Sequence, residues 1–209
     1  MNNEHMNKCF RILEESISDV GYWSWWNSDF PNLFQLEFSG VQLWNSPLQK
    51  EQPPSSTIAL KFLKPVSVSF LTKNLPGELR DNWFELLHKD KVEPFAIDHN
   101  CFAINDKIKV QDLLQDKKDV KTIYGVQLEK RGLFDLNFFV CFWAGPVGVV
   151  VFADGMRIFN HFGEIEISKI PLMRRKWWNY WKVYWRKKGT NDELPKDYTC
   201  EVTIPAQDD

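Results

Sequence analysis

Histidine is scarce in this chain and cysteine never comes in close pairs: 209 residues hold four of each. The cysteines, Cys9, Cys101, Cys141 and Cys200, form no CxxC motif. Zinc sites usually show one close ligand pair backed by a second, so spacing supports no metal site. Nor does it suggest a disulfide framework. Three of the four thiols sit among apolar neighbours, which suits buried thiols in a reducing cytoplasm. Glycine stops at 10 residues, and there is no Gly-rich phosphate loop, GxSxG elbow or HExxH helix. The N-terminus, MNNEHMNKCF, lacks the basic-then-apolar pattern of a leader. Net charge is only −2, so attraction to nucleic acid or anionic lipid must be local. One long uncharged run exists, Leu136 to Ala153. Its central Gly145-Pro146-Val147-Gly148 and its Val and Phe content read as two buried strands around a turn, not as a transmembrane segment.

What the chain has instead is aromatic surface. Aromatic residues make up 15%, with 10 Trp and 16 Phe, inside an otherwise ordinary balance of 44% hydrophobic and 26% charged residues. Each buried ring removes a large area from water and packs with defined geometry. The length fits one domain over residues 1–209, large enough for a substantial core.

Periodicity organises the chain. Met6, Phe10, Leu13, Ile17 and Val20 recur at helical steps over Glu4 to Val20, with Gly21 as a stop. Tyr22 to Asn32 reads as a tryptophan-rich connector. Phe34, Leu36 and Phe38 alternate as a half-buried strand, with Gly40 marking a bulge. Ser46 to Ser56 is the clearest loop. Strands are expected over Thr57–Lys64 and Val66–Thr72, with Pro65 between them favouring a bend or an edge position. Pro76 to Lys89 reads as a short helix with Leu79, Trp83, Leu86 and Leu87 inward. Phe95–Ile104 reads as a strand, and Asp106–Gln115 as a second short helix with Val110, Leu113 and Leu114 inward. Val120–Glu129 and Leu133–Ala153 supply further strand. Asp154-Gly155 signals a hairpin turn before MRIFNHF, and Thr199–Ile204 a last strand. The tetrapeptide GVQL occurs at Gly40–Leu43 and Gly125–Leu128, which reads as two similar strands and not as a repeat. Without regular strand–helix alternation, the pattern predicts an α+β fold. Its sheet is mainly antiparallel, carrying an N-terminal helix, two short helices and a Trp-rich C-terminal helix.

That last helix is the most unusual stretch. Arg174 to Lys188 holds seven cations, six large aromatics and no acidic residue. Pro171 near the start and Gly189 beyond three cations bracket it. At ~100° per residue, Tyr180, Tyr184, Trp177, Trp181, Trp185 and Trp178 span an arc of roughly 160°, joined by Met173. Lys176, Lys187, Arg175, Arg186 and Lys182 fall outside the arc. Single-strand nucleic-acid binding needs rings and cations on one surface, so nucleic acid is disfavoured. An amphipathic helix with its aromatic face on the protein's own core is the favoured reading. A membrane-surface helix is the alternative.

Two other groups are candidates for function. Trp23, Trp25, Trp26 and Phe30 form the aromatic part of the Tyr22–Asn32 connector. Trp is enriched at binding hot spots, so these residues are the expected partner-binding surface, with core packing as the competing reading. Asp98-His99-Asn100-Cys101 is the densest reactive group. A Cys–His pair can be nucleophile and base, so His99, Cys101 and His161 are the alternative site of a hydrolase. A strand crossing from core to surface is the favoured explanation of the tetrapeptide. Glu164 and Glu166 read as a hydrated strand face.

The favoured function is a non-catalytic cytoplasmic binding protein that recognises a protein partner through an aromatic surface, in an antitoxin- or accessory-like role. No cofactor and no metal are expected. The alternatives are a cysteine/histidine-dependent hydrolase, and membrane-surface or nucleic-acid association through residues 174–188.

Overall fold

Apolar spacing forms the first element. Helix α1 (Asn3–Ser18) places Phe10, Leu13 and Ile17 on one face, and all three are buried. The computed structural model describes residues 3–18, 22–29, 31–44, 57–86, 95–130 and 132–189, with the backbone alone at 3, 22, 24–29, 82–86, 95, 183–185 and 187–189. Val20, the Ser46–Ser56 loop, Leu87–Lys89 and the Thr199–Ile204 strand lie outside the described residues.

The Tyr22–Asn32 stretch is not a connector. Tyr22–Asp29 is strand β1, which turns at Pro31-Asn32 into β2 (Leu33–Ser39) and pairs with it antiparallel from Tyr22↔Ser39 to Asp29↔Leu33. Bulky aromatic residues favour a pleated, half-buried surface, and the ladder satisfies the backbone groups that a buried loop would leave unpaired. Along β2, Phe34, Leu36 and Phe38 are buried and alternate as expected.

Two long strands form the spine. β3 (Ile58–Thr72) is continuous through Pro65, and β8 (Val147–Asn160) is continuous through Asp154-Gly155. The irregularity expected at Pro65 is there, inside one strand, whereas the hairpin turn expected at Asp154-Gly155 is not, and one ladder accounts for both. The strands pair Leu63↔Gly155 and Pro65↔Ala153, with a register irregularity between Pro65 and Ser67 and Lys64 at φ 48°. Pro65 and Asp154-Gly155 thus face each other across one ladder, where both strands bend together. The turn that does end β8 is His161-Phe162, leading to β9 (Gly163–Ile165).

The remaining strands are β4 (Phe95–Ala96), β5 (Phe102–Ile104), β6 (Asp119–Gly125) and β7 (Phe138–Ala144). The order is β4-β1-β2-β3-β8-β7-β5, with β6 also on β3 and β9 on β8, and every pair is antiparallel. β7 and β8 are joined at Gly145-Pro146, which accounts for the uncharged run. Phe95–Ile104 is two short strands and not one. Between them Cys101 N–H closes a turn onto the Asp98 carbonyl at 3.0 Å, with Asn100 at φ 59°.

That turn explains the shape of the sheet. β4 and β5 sit at opposite ends of the strand order, yet only residues 97–101 connect them. Seven flat strands would span roughly 29 Å, beyond the ~20 Å that such a link reaches, so the sheet must curl. Ring contacts across its interior agree: Phe38 of β2 meets Phe102 of β5 at 5.3 Å and Phe142 of β7 at 5.4 Å. The concave face, closed by α1, is the larger core. The other face buries Phe139, Cys141, Trp143, Val150 and Phe152. Helix α3 (Lys107–Gln115) covers that face with Val110, Leu113 and Leu114. Its start is fixed by Asp106, whose side chain accepts from Lys109 N–H, the expected N-cap chemistry. Helix α2 (Gly77–Leu86) forms where expected, but Leu79 is 55% exposed and not inward.

Both GVQL glycines leave a strand in the left-handed region, Gly40 at φ 70° after β2 and Gly125 at φ 75° at the end of β6. The tetrapeptides are therefore strand exits and not strands. Gly40 ends β2 and no bulge forms there.

Candidate functional site

Trp23 is 0% exposed. Its ring meets Phe142 edge-on at 5.4 Å and Phe70 at 6.1 Å, inside the curl of the sheet. It is a core residue in this conformation and presents no surface to a partner. Trp25 and Trp26 are placed by backbone only, opposite Glu37 and Leu36 in the β1–β2 ladder. Their side chains, and all of Phe30, lie outside the described residues.

His99 and Cys101 belong to the 98–101 turn and not to a strand, so the shared strand face expected for them does not exist. Asp98 holds this turn in place: it accepts from Gly145 N–H at 2.8 Å and from Lys73 Nζ at 3.2 Å. His99 is exposed and Cys101 half-buried. Burial first, and the neighbouring Asp98 carboxylate second, push the Cys101 thiol above its ordinary value. An activated nucleophile needs the opposite shift. His161 lies in the β8–β9 turn, its ring 3.8 Å from that of Phe162. The 98–101 turn sits at the other end of β8, where Asp98 N–H donates to the Trp143 carbonyl. Fourteen residues of strand separate these ends by roughly 30–40 Å, allowing for the bend. His161 is therefore not brought to Cys101. Among the described residues, no group of three or more His, Cys, Asp or Glu is placed to hold a metal ion. Glu164 and Glu166 are both exposed, Glu164 near Arg157 at 3.5 Å.

A polar cleft of about 320 Å³ lies between α1 and the start of α3, lined by Asn7, Arg11, Glu14, Asn105, Asp106 and Lys107 among others. Glu14 is nearly buried there; it is ion-paired with Lys109 and accepts from Ile104 N–H at 3.4 Å. Burial outweighs the Lys109 charge and raises the Glu14 carboxyl above the usual range. With its carboxylate already partnered, Glu14 ties α1 to α3 and β5.

Helix α4 (Ile170–Gly189) carries one of the two exposed aromatic rings among the described residues, Trp178; the other is Phe162 in the β8–β9 turn. One stripe docks. Ile170 is 0% and Tyr180 5% exposed, and Met173 packs partly buried on the larger core. The segment after β2 receives this stripe: Trp44 N–H donates to the Met173 carbonyl at 3.2 Å, and the Trp44 and Tyr180 rings lie 5.2 Å apart. Arg174 Nη1 donates to Gln42 Oε1 at 2.8 Å. At ~100° per residue, Ile170, Met173, Trp177 and Tyr180 fall within roughly 80°, half the width of the aromatic arc. Among the described rings outside that stripe, Trp178 faces outward. Trp178 is 49% exposed, and Trp177, Trp178, Asn179, Trp181 and Lys182 line an open, largely apolar depression of about 670 Å³. Trp177 stands at 87° to Trp178, 5.0 Å away, and Arg174 lies over the Trp178 ring at 5.7 Å. Arg175, Lys182 and Arg186 are exposed, with Lys182 one turn beyond Trp178 and Arg175 one turn before it.

Rings and cations are therefore adjacent at the margin of α4, a juxtaposition hidden by treating the whole aromatic arc as buried. The available signal was width: an arc of roughly 160° exceeds the ~100° stripe that a surface helix commonly buries. No helix among the described residues is long and apolar enough to cross a membrane. No family model, curated protein or solved structure matches this chain.

Proposed function

We propose that this is a non-catalytic binding protein whose contact surface is the outward flank of α4, centred on Trp178, with Trp177 and Trp181 behind it and Arg175 and Lys182 beside it. The observation that carries the reading is the half-exposed Trp178 ring within an apolar depression, set among exposed cations. Large aromatic side chains left in water commonly mark interaction sites, and Trp and Arg are the residues most enriched at binding hot spots. The sheet and its two cores serve as a rigid platform holding that flank out. A cytoplasmic setting fits the free thiols of Cys9 and Cys141, both buried. The partner is a macromolecule or an extended molecular surface, since the depression is open and does not enclose a small molecule.

A photoreactive residue placed at position 178 tests this in the full chain. The expected result is an adduct with a macromolecule or lipid of the source cell, absent when the probe sits at Phe162, another exposed ring. Equal labelling from both positions, or none from 178, would refute the assignment.

A further inference from the structure

We infer that the surface recognised by α4 is an anionic lipid bilayer, with the helix lying side-on in the headgroup layer. This rests on the reading of the α4 flank as the contact surface. Charge is the first argument. From Ile167 to Asn191 the chain has no Asp or Glu, while Arg175, Lys182 and Arg186 are exposed. The whole chain is nevertheless −2, so the remainder is net acidic. An anionic leaflet would attract this helix and repel the rest, which fixes the orientation of approach.

The second argument is where the apolar groups stand. Trp178 and Leu172, each 49% exposed, lie roughly 120° apart around the helix, with Arg175, Asn179, Lys182 and Arg186 between them. A cationic strip bordered by an indole on one side and an aliphatic chain on the other matches a helix in the interface plane. The cations meet headgroups, and Trp sits at the depth it prefers. The depression between Trp177, Trp178 and Trp181 is apolar enough to admit part of an acyl chain.

The third argument separates lipid from single-stranded nucleic acid. Base stacking requires an open ring face. Arg174 already lies over the Trp178 ring, and Trp177 meets it at right angles. An interfacial indole needs no open face, because its contribution comes from immersion of the ring at headgroup depth.

Vesicle flotation with the full chain tests the inference, using phosphatidylcholine vesicles with and without phosphatidylglycerol. The expected result is flotation with the anionic vesicles only, weakened about tenfold or more between low and physiological salt. The double variant Arg175→Glu/Lys182→Glu is expected to lose about tenfold or more in affinity, and Trp178→Ala several-fold, with both variants keeping the wild-type unfolding midpoint. Failure of the wild type to float with anionic vesicles overturns the inference, as does flotation unaffected by the charge reversal. An oligonucleotide arm distinguishes the failures. If the protein binds a single-stranded oligonucleotide in a Trp178-dependent way, or position 178 still crosslinks to a protein, the contact surface stands and the bilayer is wrong. If neither occurs, both readings fall.

Discussion

Trp23 and Trp178 show that one residue type takes opposite roles in this molecule. Trp23 is wholly enclosed by Phe70 and Phe142, and truncating such a ring commonly costs about 3–5 kcal/mol. Trp23→Ala should lower the free energy of urea unfolding by that order; a loss below about 1 kcal/mol would contradict its place in the core. Cys101 makes a second residue-scale prediction. Its thiol is raised, so at a given alkaline pH less thiolate is present in the folded chain than in the unfolded one. Iodoacetamide should therefore label Cys101 more slowly in native than in denatured protein, with the native rate rising at higher pH. Faster native labelling would restore the hydrolase alternative. Sequence favours burial of any one Trp, but does not say which ring is left out. Composition supplies the rings, but only the β1–β2 ladder and the curl decide which of them is enclosed.

At the scale of elements, legibility followed locality. Helix α3 was readable in its bounds and its inward face, because the Val110, Leu113 and Leu114 spacing is a property of one short segment. The spine was not. Asp154-Gly155 carries a genuine turn signal, but it lies opposite Pro65 in a long ladder, and the paired strands bend where a free segment would turn back. A direct consequence concerns Gly155. An added Cβ there would meet Leu63 only at ordinary contact, 3.4 Å, and the backbone is not left-handed. Gly155→Ala should change unfolding free energy by no more than about 1 kcal/mol in either direction. Gly125→Ala should destabilise by clearly more, because its φ is +75° and a Cβ would fall 1.9 Å from the Val66 carbonyl oxygen. If the two variants cost the same, the continuous β8 is wrong. Glu14 links elements through charge. Its folded carboxyl is raised, so the folded state holds its proton to higher pH than the unfolded state does. The contribution of Glu14 to stability is therefore fully present below the unfolded value and declines as pH rises through the folded one. Urea midpoints measured from about pH 4 to about pH 7 should show wild type losing stability relative to Glu14→Gln as pH rises; the opposite trend would contradict the burial of Glu14.

For the whole molecule, the α+β architecture and its antiparallel sheet were predictable from the order of periodic segments. The curl was not, because it depends on a five-residue link between strands at opposite ends of the sheet, a relation no local pattern encodes. The same distinction governs the proposed contact surface. The helix at 170–189 was legible, as was its aromatic arc, but the share of that arc taken up by docking is set by Trp44, Gln42 and α1, which lie far away in sequence. Docking uses Ile170, Met173 and Tyr180 and leaves Trp178 over. On the proposed function, this remaining ring is unnecessary to the fold and available to a partner. The unfolding free energy of Trp178→Ala in urea tests it most directly. A value within about 1 kcal/mol of wild type is predicted, as for substitutions outside a core. A loss of about 3 kcal/mol or more, the cost expected for an enclosed ring such as Trp23, would show that Trp178 holds the molecule together and would contradict the account.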